Sequence, residues 1–147
     1  MSTAGPYVGI KVLDFGQVMA APYAGMILAD LGADVVKIES PSGDATRNYT
    51  PPDVGGESPY YLFVNRNKRG IAIDLKSEDG RAAILAMAET ADVVIENFRA
   101  GTMDRMGLGY EVLQELNPHL IYAAVSGYGR KGPFSNKAGY DPIAQAE

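Results

Sequence analysis

Residues 11–39 read KVLDFGQVMAAPYAGMILADLGADVVKIE, a stretch in which two β-branched runs flank a helical segment. The first run, Lys11–Phe15, predicts a strand. Pro22–Leu31 predicts a helix, because proline suits the first helical turn and Gly32 follows directly after the segment. Asp34–Glu39 predicts a second strand with an apolar middle. The order of strand, helix and strand indicates a parallel β-α-β unit.

The same alternation continues along the rest of the chain. Further strands are predicted at Gly70–Leu75, Asp92–Glu96 and Ile121–Ser126, and further helices from Ser77 to about Thr90, near Met103–Met106 and at Tyr110–Leu116. This pattern predicts an α/β fold, in which an open, mainly parallel sheet carries helices on both faces. Ligands of such sheets bind outside the carboxyl ends of the strands, so the residues that directly follow each strand are the candidates for a site.

Two loops and the last residues complete the predicted organisation. Ser40–Ser58 is rich in proline and glycine and predicts an exposed loop, and Gly127–Gly139 predicts a glycine-rich loop. Asp141 would open a helix for which the chain leaves no room. Because the sequence stops at Glu147 where an element should begin, we expect a fragment of a longer protein.

Composition excludes several kinds of function. The chain has 147 residues and a net charge of −5, which suits one domain and disfavours a nucleic-acid binder. Cysteine is absent and His119 is the only histidine, so thiolate and multi-imidazole metal sites are excluded. The longest uncharged run, residues 15–29, is too short to span a bilayer. We therefore expect a cytoplasmic protein without a metal, a membrane or a nucleic acid as partner.

Three short segments are candidate sites, each with a simpler alternative. Residues 127–132 match the G-x-G-x-x-G pattern of dinucleotide-binding proteins, but Pro133 follows, which favours a plain loop. Residues 65–69 hold three cations and suit a phosphorylated ligand, or else form a solvated turn. Residues 96–99 offer an amide, an aromatic ring and a guanidinium at a strand end, which suits a nucleotide or simple packing. His119 is expected to be a surface residue.

Taken together, the ordered segments resemble the family III CoA-transferases, the group that contains formyl-CoA transferase, carnitine CoA-transferase and α-methylacyl-CoA racemase. The resemblance covers nearly the whole chain in order. The matching stretches are Gly9–Phe15, Ala20–Pro22, Leu31–Glu39, Gly43-Asp44 with Arg47, Asn65–Arg69, Ala91–Arg99, Leu116–Pro118, Ser126–Gly129 and Gly139–Asp141.

The resemblance implies that residues 1–147 form the N-terminal portion of a Rossmann-like large domain that binds coenzyme A, and that the small domain and the C-terminal part are absent. It also implies an interlocked homodimer for the full-length protein. Carried over by position, the coenzyme A contacts are Val18, Met19, Ala20, Ile73, Lys76, Asn97, Phe98, Arg99, Thr102 and Arg105.

The family reaction implies acyl-CoA and a free carboxylic acid as substrates. In that reaction an aspartate carboxylate attacks the acyl-CoA thioester, which gives a mixed anhydride and then an aspartyl-CoA thioester. The aspartate is expected beyond residue 147, so the chain alone should be inactive; Tyr140 and Asp141 are the candidates near the active site. Tyr140 stands where racemases carry a histidine, which favours a transferase. A free-standing coenzyme A-binding or interaction module, an acyl-CoA racemase relative and a dinucleotide-dependent enzyme are the alternatives.

Overall fold

A computed structural model of the protein describes residues 5–146, except for the side chains of Asp141 and Ala144. Five strands form one sheet in the order β3-β2-β1-β4-β5, and every neighbouring pair is parallel. The strands are β1 (Lys11–Asp14), β2 (Asp34–Glu39), β3 (Arg69–Ala72), β4 (Val93–Glu96) and β5 (Ile121–Ala124). The predicted open α/β sheet is confirmed, and within the described residues it is wholly parallel.

Helices connect the strands and cover both faces of the sheet. They are α1 (Ala20–Asp30), α2 (Pro59–Asn65), α3 (Glu78–Ala88), α4 (Thr102–Arg105), α5 (Tyr110–Leu116) and α6 (Asp141–Ala146). Within residues 5–146, none of them is both long and apolar enough to cross a membrane.

The alternation of side chains along the central strand divides the core into two layers. Val12 of β1 is fully buried beside Ala21 and Ala29 of α1. Its neighbour Leu13 points to the opposite face, where it joins Ile84 of α3 in the larger cluster. Since both faces of a parallel sheet are covered, the middle strands are apolar along most of their length.

The structure corrects three expectations from the sequence. The segment 40–58 is not wholly exposed: it contains a 3₁₀ turn, Ala45–Asn48, and Asp44 and Thr46 are buried. Helix α2 was not predicted, although Ser58 caps it and Pro59 begins it. Helix α6 does form at Asp141–Ala146, so the expectation that no helix has room there was wrong.

Candidate functional site

The carboxyl ends of β1 and β4 meet at the point where the strand order reverses. From β1 the chain proceeds outward to β2 and β3, and it then returns to the other side of β1 to form β4 and β5. The segments that follow β1 and β4, residues 15–19 and 97–101, therefore lie side by side at the carboxyl edge. Such a switch point is where open parallel sheets bind their ligands.

At this switch point, side chains form hydrogen bonds with the N–H and the carbonyl of both Gly16 and Gln17. The Gly16 N–H donates to Asp14 Oδ1 at 2.8 Å, and Lys37 Nζ donates to the Gly16 carbonyl. The Gln17 N–H donates to Asn97 Oδ1 at 2.7 Å, and Asn97 Nδ2 donates to the Gln17 carbonyl at 2.8 Å. Gly16 and Gln17 of the β1–α1 loop are therefore held by side chains of β1, of β2 and of the residue that follows β4.

Three of the predicted contact residues follow this tied segment. Val18 has a φ of +63°, a left-handed conformation that is unusual for a β-branched residue. Met19 is 40% exposed and precedes α1 without a side-chain cap, and Ala20 is the first helical residue. The structure therefore brings Val18, Met19 and Ala20 to the mouth of the crevice, with Asn97 beside them.

The three cations of residues 65–69 do not form an open positive field. Lys68 is buried, and its Nζ donates to Asp14 Oδ2 at 2.7 Å, to the Pro22 carbonyl at 2.7 Å and to Asn65 Oδ1 at 2.9 Å. Burial lowers the pKa of Lys68, and the Asp14 carboxylate opposes that shift. The other two cations form exposed ion pairs, Arg66 with Asp30 and Arg69 with Asp34. Both sequence interpretations fail for Lys68, because it is neither solvated nor available to a phosphate.

A second buried group of charges supports the end of β2. Lys37 Nζ lies 2.9 Å from Asp44 Oδ2, and both side chains are 2% exposed. Glu39 accepts hydrogen bonds from the Asp44 N–H, from the Arg47 guanidinium and from the Tyr61 hydroxyl. Burial works to raise the pKa of Glu39, but the hydrogen bonds from Arg47, Tyr61 and Asp44 lower it to about 2. The carboxylate therefore stays ionised and anchors residues 44–47.

A cavity of about 500 Å³ opens between the start of α3 and the end of α4. Its lining carries three cations, Lys76, Arg81 and Arg105, against the one carboxylate of Glu78. None of these cations forms an ion pair with another part of residues 5–146. The structure thus brings together the predicted contacts Lys76 and Arg105. Arg81 was not predicted from the sequence. It could have been found, because it lies one helical turn after the Ser77 cap and therefore near Lys76.

The remaining predicted contacts follow two strands: Ile73 comes directly after β3, and Phe98, Arg99 and Thr102 come after β4. Phe98 and Ile73 are half-buried and pack against the larger core cluster. Arg99 is exposed, and its carbonyl accepts the Thr102 N–H at 3.0 Å, which starts α4. Thr102 Oγ1 in turn accepts a hydrogen bond from Arg105 at 2.9 Å. The segment 97–105 therefore connects the crevice with the cationic cavity.

The glycine-rich loop is tied to the same edge through Arg130. Glu96, at the end of β4, is 1% exposed and pairs with the Arg130 guanidinium. Burial raises the pKa of Glu96, whereas the Phe98 N–H and Arg130 lower it. Residues 127–132 lead into turns rather than a helix, which agrees with the loop interpretation and not with a dinucleotide fingerprint.

The last three candidates from the sequence, Tyr140, Asp141 and His119, lie outside the crevice and the cavity lining as the structure describes them. Tyr140 is 63% exposed, and its carbonyl accepts the Ile143 N–H at the start of α6. Asp141 begins α6, but its side chain lies outside the part that the structure describes. His119 is exposed, as predicted.

An open, wholly parallel sheet with polar loops gathered at its switch point defines a Rossmann-like α/β protein. Residues 7–147 match the model of CoA-transferase family III. Succinyl-CoA:glutarate CoA-transferase from Homo sapiens is 49% identical over 147 residues, which cover 99% of this chain and 34% of that protein. Acetyl-CoA:oxalate CoA-transferase from Acetobacter aceti is 50% identical over 143 residues, 97% of this chain and 36% of that protein.

Solved structures agree with the sequence comparisons. A crystal structure of a CaiB/BaiF family protein from Brucella suis superposes with a TM-score of 0.93 at 44% identity, and it covers 98% of this chain and 39% of that chain. The chain therefore belongs to CoA-transferase family III. It spans about a third of the length of the curated relatives it matches.

Proposed function

We propose that residues 1–147 are the N-terminal portion of the coenzyme A-binding domain of a CoA-transferase. The observation that carries this proposal is the cavity lined by Lys76, Arg81 and Arg105, three cations without an ion pair among the described residues of a chain of net charge −5. Coenzyme A carries a diphosphate and a 3′-phosphate, and a local cluster of cations is what such a ligand requires.

The neighbouring residues suit the rest of the coenzyme. The Phe98 ring is half-buried at the start of the segment that leads to Arg105, and an adenine base could stack on its exposed part. The residues at the crevice, Val18, Met19 and Ala20, would contact the pantetheine arm. The proposed contacts between the crevice and the cavity are Ile73, Asn97, Arg99 and Thr102. In the proposed binding mode, the thioester end of the ligand lies at the crevice and its phosphates lie at the cavity.

The proposed reaction exchanges one thioester for another. A carboxylate of an aspartate outside residues 1–147 attacks the acyl-CoA carbonyl carbon, and the C–S bond breaks to give a mixed anhydride and the coenzyme A thiolate. The thiolate then attacks the aspartyl carbonyl, which releases the first carboxylate and leaves an aspartyl-CoA thioester. The acceptor carboxylate takes the coenzyme A by the reverse steps. If the nucleophile lies outside residues 1–147, as proposed, the 147-residue chain should bind coenzyme A without transferring it.

The full protein is proposed to act as an interlocked homodimer on acyl-CoA and a free carboxylic acid. The relatives from Homo sapiens and Acetobacter aceti are named for glutarate and for oxalate as acceptors, with succinyl-CoA and acetyl-CoA as donors. Small dicarboxylates are therefore the first acceptors to test.

Calorimetric titration of coenzyme A into the 147-residue chain tests the cavity. Replacing Arg81 by glutamine removes one phosphate partner and should weaken binding by at least about tenfold, since a charge-assisted hydrogen bond contributes about 1.5–3 kcal/mol. The matched control is R69Q, which removes an exposed cation that is already paired with Asp34. Equal affinities of R81Q and R69Q would contradict the cavity as the phosphate site.

The intact mass of the protein isolated from its source decides how transfer is tested. A mass of two to three times 15.7 kDa calls for an assay of acyl transfer from succinyl-CoA and acetyl-CoA to glutarate and oxalate. Transfer supports the proposal, whereas epimerisation of an acyl-CoA without transfer supports a racemase. A mass of 15.7 kDa with coenzyme A binding and no transfer supports a free-standing binding module instead.

A further inference from the structure

The side chain of Asn97 is already engaged by the backbone of the β1–α1 loop. Its Oδ1 accepts the Gln17 N–H at 2.7 Å, and its Nδ2 donates to the Gln17 carbonyl at 2.8 Å. An asparagine amide has two acceptor positions on its oxygen and two N–H donors, so this pairing uses one acceptor position and one donor. Half of the hydrogen-bonding capacity of the Asn97 amide is therefore committed to the loop.

The next residue after the paired segment has a backbone conformation that needs support. Val18 has a φ of +63°, and a β-branched residue adopts this region only under constraint. Such strained conformations persist when the surrounding structure over-determines them, and they gather at ligand-binding segments. Two bonds on Gly16 and two on Gln17 supply that constraint directly before Val18.

We propose that Asn97 is a positioning residue, which binds the Gln17 backbone and thereby keeps Val18 in the left-handed region. The inference rests on the proposed function, because its consequence is a crevice in which Val18, Met19 and the start of α1 face coenzyme A. In this role the Asn97 side chain acts through the loop.

A conformational equilibrium of the β1–α1 loop links the Asn97 hydrogen bonds to the affinity for coenzyme A. When Asn97 is removed, the Gln17 backbone groups turn to water and Val18 returns to the extended region that valine prefers. The apparent Kd then rises by the reciprocal of the fraction of molecules whose loop keeps the binding conformation. A glycine in place of Val18 adopts a positive φ without strain, so it should make the loop less dependent on Asn97.

A double-mutant cycle in the 147-residue chain separates positioning from direct contact. Calorimetric titration of coenzyme A is expected to show that N97A raises Kd by about tenfold when Val18 is present, and by less than about threefold in the V18G background. An equal loss in both backgrounds would overturn the inference, because a direct contact does not depend on the strain at Val18. N97D keeps an acceptor for the Gln17 N–H and loses the donor, so it should give an intermediate Kd and serves if N97A does not fold.

A measurement without ligand keeps this inference distinct from the proposed function. The three-bond coupling between the amide and α protons of Val18 reports its φ, and N97A should move it to the value of extended backbone. An unchanged coupling in N97A would refute the positioning role, whatever the affinity. If the unmodified chain fails to bind coenzyme A, the proposed function fails, and the coupling still decides the role of Asn97.

Discussion

Replacing Lys68 by methionine should strongly destabilise the fold, because it leaves a carboxylate buried without its partner. The Lys68 side chain is 1% exposed and that of Asp14 is 0% exposed. In K68M, Asp14 keeps only the Gly16 N–H, and the Pro22 carbonyl and Asn65 Oδ1 each lose a donor. Removing one partner of a buried ion pair costs about 3–5 kcal/mol, a large part of the about 5–15 kcal/mol that stabilises a domain.

The matched control is R69M, because Arg69 follows Lys68 in the sequence and also forms an ion pair. The side chains of Arg69 and Asp34 are 69% and 50% exposed, so this pair should contribute less than about 1 kcal/mol. Urea unfolding at pH 7, followed by circular dichroism and extrapolated to water, gives the two free energies of unfolding. The reasoning is refuted if K68M and R69M differ by less than about 1 kcal/mol.

The double variant D14N/K68M tests the cause of the loss. Asparagine at position 14 is uncharged, and its oxygen can still accept the Gly16 N–H, so the buried charge disappears while the loop contact remains. The double variant should therefore be more stable than K68M alone. It also keeps the comparison informative if K68M is unfolded in the absence of urea. A double variant that is less stable than K68M would show that the buried charge is not the cause.

Three further predictions concern acid stability, the glycine-rich loop and a helix cap. The pKa of Glu39 is lowered to about 2, so its ionised form contributes stability above the ordinary pKa of 4.5, and that contribution is lost as the pH falls through about 2. E39Q should therefore destabilise the chain at pH 7 and flatten the loss of stability between those two pH values, as urea titrations at several pH values will show. A Cβ on Gly139 would lie 2.3 Å from Gly127 Cα, so G139A should open the base of the loop and speed its proteolysis, whereas G70A, which meets nothing within 4 Å, should not. S77A removes the Ser77 oxygen that caps α3 and should lower the free energy of unfolding by about 1 kcal/mol in the same urea assay.

The strands and most helices could be predicted because their signals are local. The observed bounds of β2 and α5 are the predicted ones, Asp34–Glu39 and Tyr110–Leu116. Each segment contains regularly placed apolar residues, and glycine or proline lies close to both of its ends. Helix α2 was missed because residues 60–64 are aromatic or branched and read poorly as a helix. The pair Ser58-Pro59 is its local signal, as an N-cap followed by proline at the first helical position.

The candidate site was predictable in position but not in its contacts. Residues after the strands were the right ones to examine, because parallel strands bring their carboxyl ends to one edge. The partners could not be read from the sequence, since Asn97 and Gln17 are 80 residues apart and Lys68 and Asp14 are 54 apart. Charged residues inside apolar strands, Asp14 and Lys37, were the available signs of buried charges that need partners.

The two buried ion pairs, Lys68–Asp14 and Lys37–Asp44, are better explained by their role in fixing the β1–α1 loop than by a contribution to the stability of the core. Apolar residues of similar volume often stabilise a core as well as a buried ion pair does. Here, however, Asp14 of one pair accepts the Gly16 N–H, and Lys37 of the other pair donates to the Gly16 carbonyl. Apolar replacements would lose both directional bonds, and Gly16 of the β1–α1 loop would no longer be fixed by side chains. Because Asn97 fixes the next residue, Gln17, the charges and the amide together determine how the chain enters the crevice.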